Sequence, residues 1–262
     1  MRIAIFNQKG GVGKTTTALN LGAALSRASA PPLLIDLDPQ GHLSSIHGSA
    51  PGQAAKSIFS FYQEDTPLQD LVVDWEHLGQ LIPAHQQLMK VDSIFGKGPA
   101  ILNKLRVGLE TLEANQAPRP CIIDCCPYIG VLALNAIFAC DCIIIPVSTD
   151  YLSLQAAEHI SRTLQVLEPV LKRRVNRRYL LTRFDRRRRM SEDVRNKLRE
   201  SYGDEVLDTV ISENVAVAES PSHNRDVFRQ NPNSPGANDH RRMLEELIER
   251  GDLKLQTELS WN

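Results

Sequence analysis

The fold that the sequence predicts is an α/β fold, a doubly wound and mostly parallel sheet with helices on both faces. Two observations predict it. Short apolar runs of strand length alternate with longer amphipathic stretches along the 262 residues, and the first run passes through a glycine-rich turn straight into a helix. The runs are almost continuously apolar, as strands buried on both faces of a parallel sheet must be.

The elements follow in order. Arg2 to Phe6 (RIAIF) is the first strand, and a helix runs from about Lys14 to Ser29 after the turn QKGGVGK. Leu33 to Leu37 (LLIDL) is the second strand, and residues 50 to 75, rich in Pro, Gly, Ser and Asn-type turn formers, read as irregular surface. A helix from Ala100 to Ala114 precedes the strand Cys121 to Cys125 (CIIDC), and Cys142 to Val147 (CIIIPV) is the next strand. Leu152 to Leu171 has helical period, Tyr179 to Thr182 (YLLT) is a strand, and Ser191 to Tyr202 is a helix whose Ser191 reads as its cap, with Glu192 and Asp193 matched to the dipole. Residues 220 to 238 read as irregular, and His240 to Glu249 as the last helix. Residues 1–262 form one domain in this reading, with right-handed crossovers and a ligand crevice beyond the carboxyl ends of the strands.

Composition narrows the function classes. A 42% hydrophobic content suits an ordinary soluble fold, and a net charge of −1 gives no overall pull toward anionic partners. No charged leader with an apolar run precedes the first strand, and no stretch approaches the roughly 20 apolar residues that span a bilayer, so the chain is expected in the cytoplasm. The five cysteines all fall between Cys121 and Cys142, which argues against a secreted disulfide framework.

The turn carries the chemistry. Gly10, Gly11 and Gly13 let the backbone wrap around phosphate oxygens, while the following helix points its amides and positive dipole end at the same place. Lys14 can reach the β and γ phosphates, and the Thr15 hydroxyl can ligate Mg²⁺. The pattern departs from the usual phosphate loop, because Gln8 stands where a glycine is expected and a second lysine, Lys9, follows it.

KGGVGKTT resembles the deviant Walker A motif of the ParA/Soj/MinD family of ATPases, closest to the ParA/Soj partition type. The resemblance implies a P-loop NTPase fold of the SIMIBI type, ATP/ADP and Mg²⁺ as cofactors, and nucleotide contacts from Lys9, Gly10, Gly11, Val12, Gly13, Lys14, Thr15 and Thr16. In that family the lysine matching Lys9 crosses an ATP-sandwiched homodimer to the partner's phosphates, and Gly10 stays small so that the two loops can approach. LLIDLDPQG, residues 33 to 41, is similar to the second family motif, which implies that Asp38 positions the attacking water and Asp36 supports the metal and lysine network. CIID followed by Cys125, Cys126 and Pro127 is similar to the Walker B strand, which implies that Asp124 holds Mg²⁺ through water. Catalysis is thereby assigned to Lys9, Lys14 and Asp38, and metal binding to Thr15 and Asp124.

The resemblance extends through IPA at 82 to 84, LNAI at 134 to 137, IIIPVSTDYLSL at 143 to 154, LLTRFDRR at 180 to 187, NVAVAESPSH at 214 to 223 and NSPGA at 233 to 237. It implies that Thr182 to Asp185 and the segment Glu219 to Ser222, with Pro221, contribute to the adenine pocket. Two departures stand out: Cys126 and Tyr128 replace a usual proline and serine, and Ala216 stands where an N-V-R-L arginine is usual.

Between Lys172 and Arg199 lie 13 of the chain's 30 basic residues within 28 positions. Such density reads as a salt-sensitive phosphate-backbone footprint without base-reading residues, with a solvated helix face as the plain alternative. Family resemblance implies nonspecific DNA binding by the ATP dimer, assigned to Arg186, Arg187, Arg188 and Arg189 with Arg187 the best match. The clustered cysteines raise a rival reading as an iron–sulfur carrier of the Mrp or nitrogenase iron-protein class, but no C-x-x-C pair is present and burial as small apolar side chains is favoured. The tail GDLKLQTELSWN lacks a basic amphipathic face, so membrane attachment is disfavoured and a terminus packed through Trp261 is preferred.

The expected function is a slow, partner-stimulated ATP hydrolase that segregates or positions intracellular cargo. Its expected partners are a second copy of the chain, nonspecific double-stranded DNA and a ParB-like protein or cargo adaptor, with the ATP state on the nucleoid. The alternative cargo is a protein assembly such as a chemoreceptor array, a carboxysome or the cellulose secretion machinery. The chain starts at its first strand, so operator-specific repression through an N-terminal helix-turn-helix is not expected.

Overall fold

The structure, a computed structural model, describes residues 1–48, 53–95, 98–114, 117, 119–255, 259 and 261. Its strands are β1 (Arg2–Ile5), β2 (Leu33–Asp36), β3 (Val73–Trp75), β4 (Gly79–Ile82), β5 (Cys121–Asp124), β6 (Cys142–Ser148), β7 (Asn176–Phe184) and β8 (Val206–Ser212). They form one eight-stranded sheet in the order β3-β4-β2-β5-β1-β6-β7-β8. β3 runs antiparallel to β4, and the other pairs are parallel. Register aligns Ile5 with Asp124 and Asp36 with Asp124, so the carboxyl ends of β1, β2 and β5 form one polar edge at the middle of the sheet.

Strand alternation splits the core in two. Ile3, Ile5, Leu34, Ile122, Ile144 and Leu180 face the helices Lys14–Arg27 and Pro235–Glu249. Ala4, Phe6, Ile35, Ile123, Ile143, Ile145 and Leu181 face the other way, toward helices Lys104–Ala114, Val131–Ala139, Tyr151–Leu171 and Arg189–Tyr202. Burial on both faces is what the continuous apolar runs require.

The five expected strands form, and three more join them. β3 is too short for a periodic signal, and β8 at the sheet edge interrupts its apolar run with Asp208 and Thr209. Helix Val131–Ala139 has every residue buried, so it carries no amphipathic period to read. Of the stretch read as irregular before residue 75, residues 50–52 lie outside the described residues, and the remainder contains the helix Ile58–Glu64, capped by Ser57. Residues 220–238 likewise hold the short helix Val227–Gln230, capped by Asp226.

Helix boundaries also shift. The last helix starts at Pro235, not His240, because Ser234 accepts the Ala237 amide at 3.1 Å and proline fits the first turn. The helix expected from Ser191 starts at Arg189, leaving Ser191 inside its first turn with its hydroxyl 3.3 Å from Thr149 Oγ1. The helix expected over 100–114 is two pieces, Pro99–Leu102 and Lys104–Ala114. At the tail, Trp261 donates to Glu245 at 3.2 Å and lies under the Arg241 guanidinium at 5.1 Å, while residues 256–258, 260 and 262 are outside the described residues. Among the described residues no helix is long and apolar enough to cross a membrane.

Buried ion pairs brace the lower end of the sheet. The Arg177 guanidinium, 4% exposed, pairs with Glu168 of helix Tyr151–Leu171. Arg177→Ala should lower unfolding stability by about 2 kcal/mol, since it removes a buried guanidinium hydrogen-bonded to a carboxylate, and a denaturant midpoint within error of wild type would refute this.

Candidate functional site

β1 ends at the centre of the sheet, and the turn after it is pinned before it can bend. Asn7 Nδ2 donates to Pro146 O at 2.6 Å, and Asn7 Oδ1 accepts the Lys9 amide at 2.8 Å. Gly11 and Gly13 then take left-handed backbone, φ 73° and 90°, which a side chain would resist. Gly13 opens helix Lys14–Arg27 with no side-chain cap, so its first amides face the crevice available to an anion. The far wall is tied on by Thr182, whose hydroxyl donates to Val12 O at 2.9 Å.

The two lysines of the loop diverge. Lys14 is buried and its Nζ donates to Lys9 O at 3.1 Å; burial pushes its pKa down, opposed by Asp124 and Asp38. Lys9 instead reaches out of the crevice to Asp150 Oδ1 at 2.5 Å and Ser153 Oγ at 2.8 Å. Asp150 also caps helix Tyr151–Leu171 by accepting the Ser153 amide at 3.0 Å. Partial desolvation of Asp150 is outweighed by bonds from Lys9, Ser148 and Ser153, which hold its carboxyl down to about 2. Asn7, Ser148, Asp150 and Ser153 were not singled out from the sequence; the Asp-x-x-Ser cap spacing was the available signal.

Three carboxylates meet at the polar edge. Asp36 is fully buried and spends its oxygens on its own loop, accepting from Ser44 N at 2.9 Å, Ser44 Oγ at 2.7 Å and the Asp38 amide at 3.1 Å. It shapes the turn into helix His42–His47 and its charge acts on Asp124 beside it. Asp38 accepts the Gln40 amide at 2.9 Å and lines the crevice beside Pro127. Asp124 is buried with neither carboxylate oxygen hydrogen-bonded, and the Thr15 hydroxyl and Lys14 are its nearby polar groups. Desolvation, then the Asp36 charge, raises its pKa well above the usual carboxylate range.

An unpartnered buried carboxylate beside a hydroxyl and a lysine fits a hard cation. The Asp124 carboxylate and the Thr15 hydroxyl are oxygen donors of the kind Mg²⁺ accepts, and they would hold it here. A dication there would relieve the desolvation and repulsion at Asp124.

The crevice encloses about 510 Å³, and its phosphate end is lined by Gly10, Gly11, Val12, Gly13, Lys14, Thr15 and Thr16. That volume is within the range of small-molecule sites. Thr182, Arg183 and Pro221 line it further along, with Asn214, Val217 and His240. Asp185 does not join them, because its carboxylate is turned to Arg187 at 2.9 Å and Arg188 at 3.4 Å. Arg183, which takes its place in the wall, has a left-handed backbone at φ 51°, a conformation that sequence pattern does not announce.

The basic cluster proves to be several separate structures. Arg173 donates to Cys140 O at 2.7 Å, Arg174 pairs with Glu205 at 2.6 Å, and Arg178 with Asp252 at 2.5 Å. Arg199 is held by Asp208. Arg186 to Arg189 are four consecutive exposed arginines, and Lys172, Arg183 and Lys197 of the cluster are exposed as well. Of these, Arg187 and Arg188 are paired as above and Arg189 stands 3.9 Å from Asp193, while Arg186 has no carboxylate partner among the described residues.

All five cysteines are buried free thiols on β5, β6 and the segments beside them. Burial pushes Cys121, Cys126 and Cys140 up to about 12 and raises Cys125 and Cys142 as well, so they remain protonated small apolar side chains. Cys126 Sγ donates to Tyr128 O at 3.7 Å, so the two departures from the Walker B pattern contact one another.

Comparison with known proteins adds three findings. A family profile described as an AAA domain matches residues 1–177. Chromosome partitioning protein ParA of Caulobacter vibrioides is 36% identical over 250 residues, covering 95% of this chain and 94% of its own, and chromosome-partitioning ATPase Soj of Thermus thermophilus is 36% identical over 252 residues, covering 95% and 96%. Among solved structures, cobyrinic acid a,c-diamide synthase from Mycobacterium smegmatis, with bound ATP analogue and magnesium, superposes with a TM-score of 0.82 at 26% identity, covering 99% of this chain and 98% of that one.

Proposed function

Since the chain belongs to the ParA/Soj family of partitioning ATPases, we propose that it is a Mg²⁺·ATP-driven switch that dimerises with ATP and separates on hydrolysis. That cycle serves to segregate or position intracellular cargo, of the plasmid or chromosome partition type. The single observation that carries the reading is the divergence of the two lysines: Lys14 is committed to the chain's own crevice, and Lys9 is directed out of it toward Asp150. A cation leaving its own site is suited to phosphates held by a second copy.

Each residue then has a role. Loop amides from Gly10 to Thr16 and Lys14 hold the phosphates; Thr15 and Asp124 hold Mg²⁺, which supplies charge neutralisation at the phosphate oxygens. Asp38 orients the attacking water. Lys9 adds positive charge in trans, so that hydrolysis depends on dimerisation. A ParB-like protein or cargo adaptor stimulates turnover, and the cycle runs in the cytoplasm within the single domain of residues 1–262.

In the ATP dimer, Arg186 to Arg189 hold nonspecific double-stranded DNA and keep the protein on the nucleoid. The supporting observation is the exposure of four consecutive arginines on one short segment. Replacing all four with Ala should weaken duplex binding and flatten its logarithmic salt slope by about one unit per arginine engaged, with ATP binding unchanged. The readout is fluorescence anisotropy on a random-sequence duplex with ATP, with ADP and without nucleotide. Unaltered affinity and slope would remove this segment as the DNA contact.

A further inference from the structure

The lysine that the switch reading sends to a second copy is already bound within its own chain. Lys9 Nζ donates to Asp150 Oδ1 at 2.5 Å and to Ser153 Oγ at 2.8 Å. β1 and β6 pair side by side in parallel, so the turn after β1 and the first turn of helix Tyr151–Leu171 open at the same edge of the sheet. An ammonium has three donors and no acceptor, and here a carboxylate and a hydroxyl take two of them.

Everything in this contact is fixed except the lysine side chain. The Lys9 amide donates to Asn7 Oδ1 at 2.8 Å and its carbonyl accepts from Lys14 at 3.1 Å, so the backbone stays in place when the ammonium swings. Across the gap, the Asp150 carboxylate accepts from Ser148 Oγ at 2.8 Å and from the Ser153 amide and hydroxyl, each at 3.0 Å. Those bonds remain when Lys9 leaves, so opening the contact strands no unpaired carboxylate. The side chains of Lys9 and Asp150 are 27% and 46% exposed, which keeps the pair weak enough to exchange.

We propose that Asp150 is a positioning residue that acts as a latch, holding the Lys9 ammonium in the monomer so that a second copy must draw the lysine off it to complete the dimer. The inference rests on the switch reading above, in which Lys9 acts in trans. One carboxylate then competes with phosphate oxygens for one ammonium. A triphosphate carries more charge than a diphosphate, so the latch gives way to ATP in the facing subunit more readily than to ADP. Asp150 thereby sets how much nucleotide charge the dimer requires.

Asp150→Asn is the informative change, because asparagine keeps an oxygen for the Ser153 amide, caps a helix as well as aspartate does and gives up the charge. Sedimentation with Mg²⁺ and a non-hydrolysable ATP analogue should give this variant a dimer dissociation constant about tenfold lower than wild type, since two latches open per dimer and a half-exposed pair is worth about threefold each. A purely structural role would not move the second readout, acetylation of Lys9 by acetic anhydride in the nucleotide-free monomer. Followed by mass spectrometry against the exposed Lys56, it should quicken about threefold in the variant. Ser153→Ala removes one of the two acceptors and leaves the capped amide; it should shift both readouts the same way by a smaller factor, and it replaces Asp150→Asn should that variant not fold. A folded Asp150→Asn protein that dimerises no more tightly than wild type, or whose Lys9 is acetylated no faster, overturns the latch. Wild type that stays monomeric with the analogue overturns the switch reading and the latch with it, a distinct result because no variant is needed to see it.

Discussion

Lys9→Ala abolishes ATP-dependent dimerisation and reduces ATP turnover at least about a hundredfold, the scale on which removing one transition-state charge acts. Monomer affinity for ADP stays within about threefold of wild type, because Lys14, the loop amides and Asp124 remain in place. The structure explains the split: the Lys9 ammonium bonds Asp150 and Ser153, and Lys14 touches only the Lys9 backbone, which alanine retains. Light scattering with a non-hydrolysable ATP analogue, steady-state hydrolysis and ADP calorimetry check the three parts. A Lys9→Ala protein that dimerises and turns over normally would defeat the trans role of this lysine.

Asp38→Ala gives the complementary phenotype, an ATP dimer that assembles and persists while single-turnover hydrolysis slows by about 10² or more. The substitution removes the acceptor of the Gln40 amide, a local turn bond worth about 1 kcal/mol, so the fold and the loop survive it. Asp36 is unsuited to the same task, since Ser44 and the Asp38 amide already occupy its carboxylate. Normal hydrolysis in Asp38→Ala would exclude Asp38 as the group that orients water; loss of the dimer would assign it to assembly instead.

Legibility differed between the two ends of the crevice. At the phosphate end, function depends on consecutive backbone amides, on glycines at positive φ and on one lysine and one hydroxyl at fixed spacing, all within residues 10–16 of one turn. Chemistry carried by consecutive residues can be read from consecutive letters. The other end is assembled from β7, the segment after β8 and the last helix, so no local pattern marks His240 or Arg183 as neighbours of Thr182 and Pro221. Charge counting does not separate these arginines, for a related reason. Density along the chain placed 13 basic residues together, but the fold takes Arg177 and Arg178 of β7 into ion pairs with Glu168 and Asp252, while Arg186 to Arg189 stay outside.

By itself, then, the sequence determined the alternating parallel sheet and the phosphate loop after its first strand, because apolar period and glycine spacing are local consequences of strand burial and backbone freedom, while Asp36, Asp38 and Asp124 were singled out by their resemblance to family motifs. Only the tertiary structure decided which carboxylate is left unpartnered, where Lys9 points and which arginines are held in ion pairs. Those outcomes depend on desolvation and on hydrogen bonds between residues as far apart as Lys9 and Asp150, and a buried polar group acquires its character from whatever the fold brings within reach.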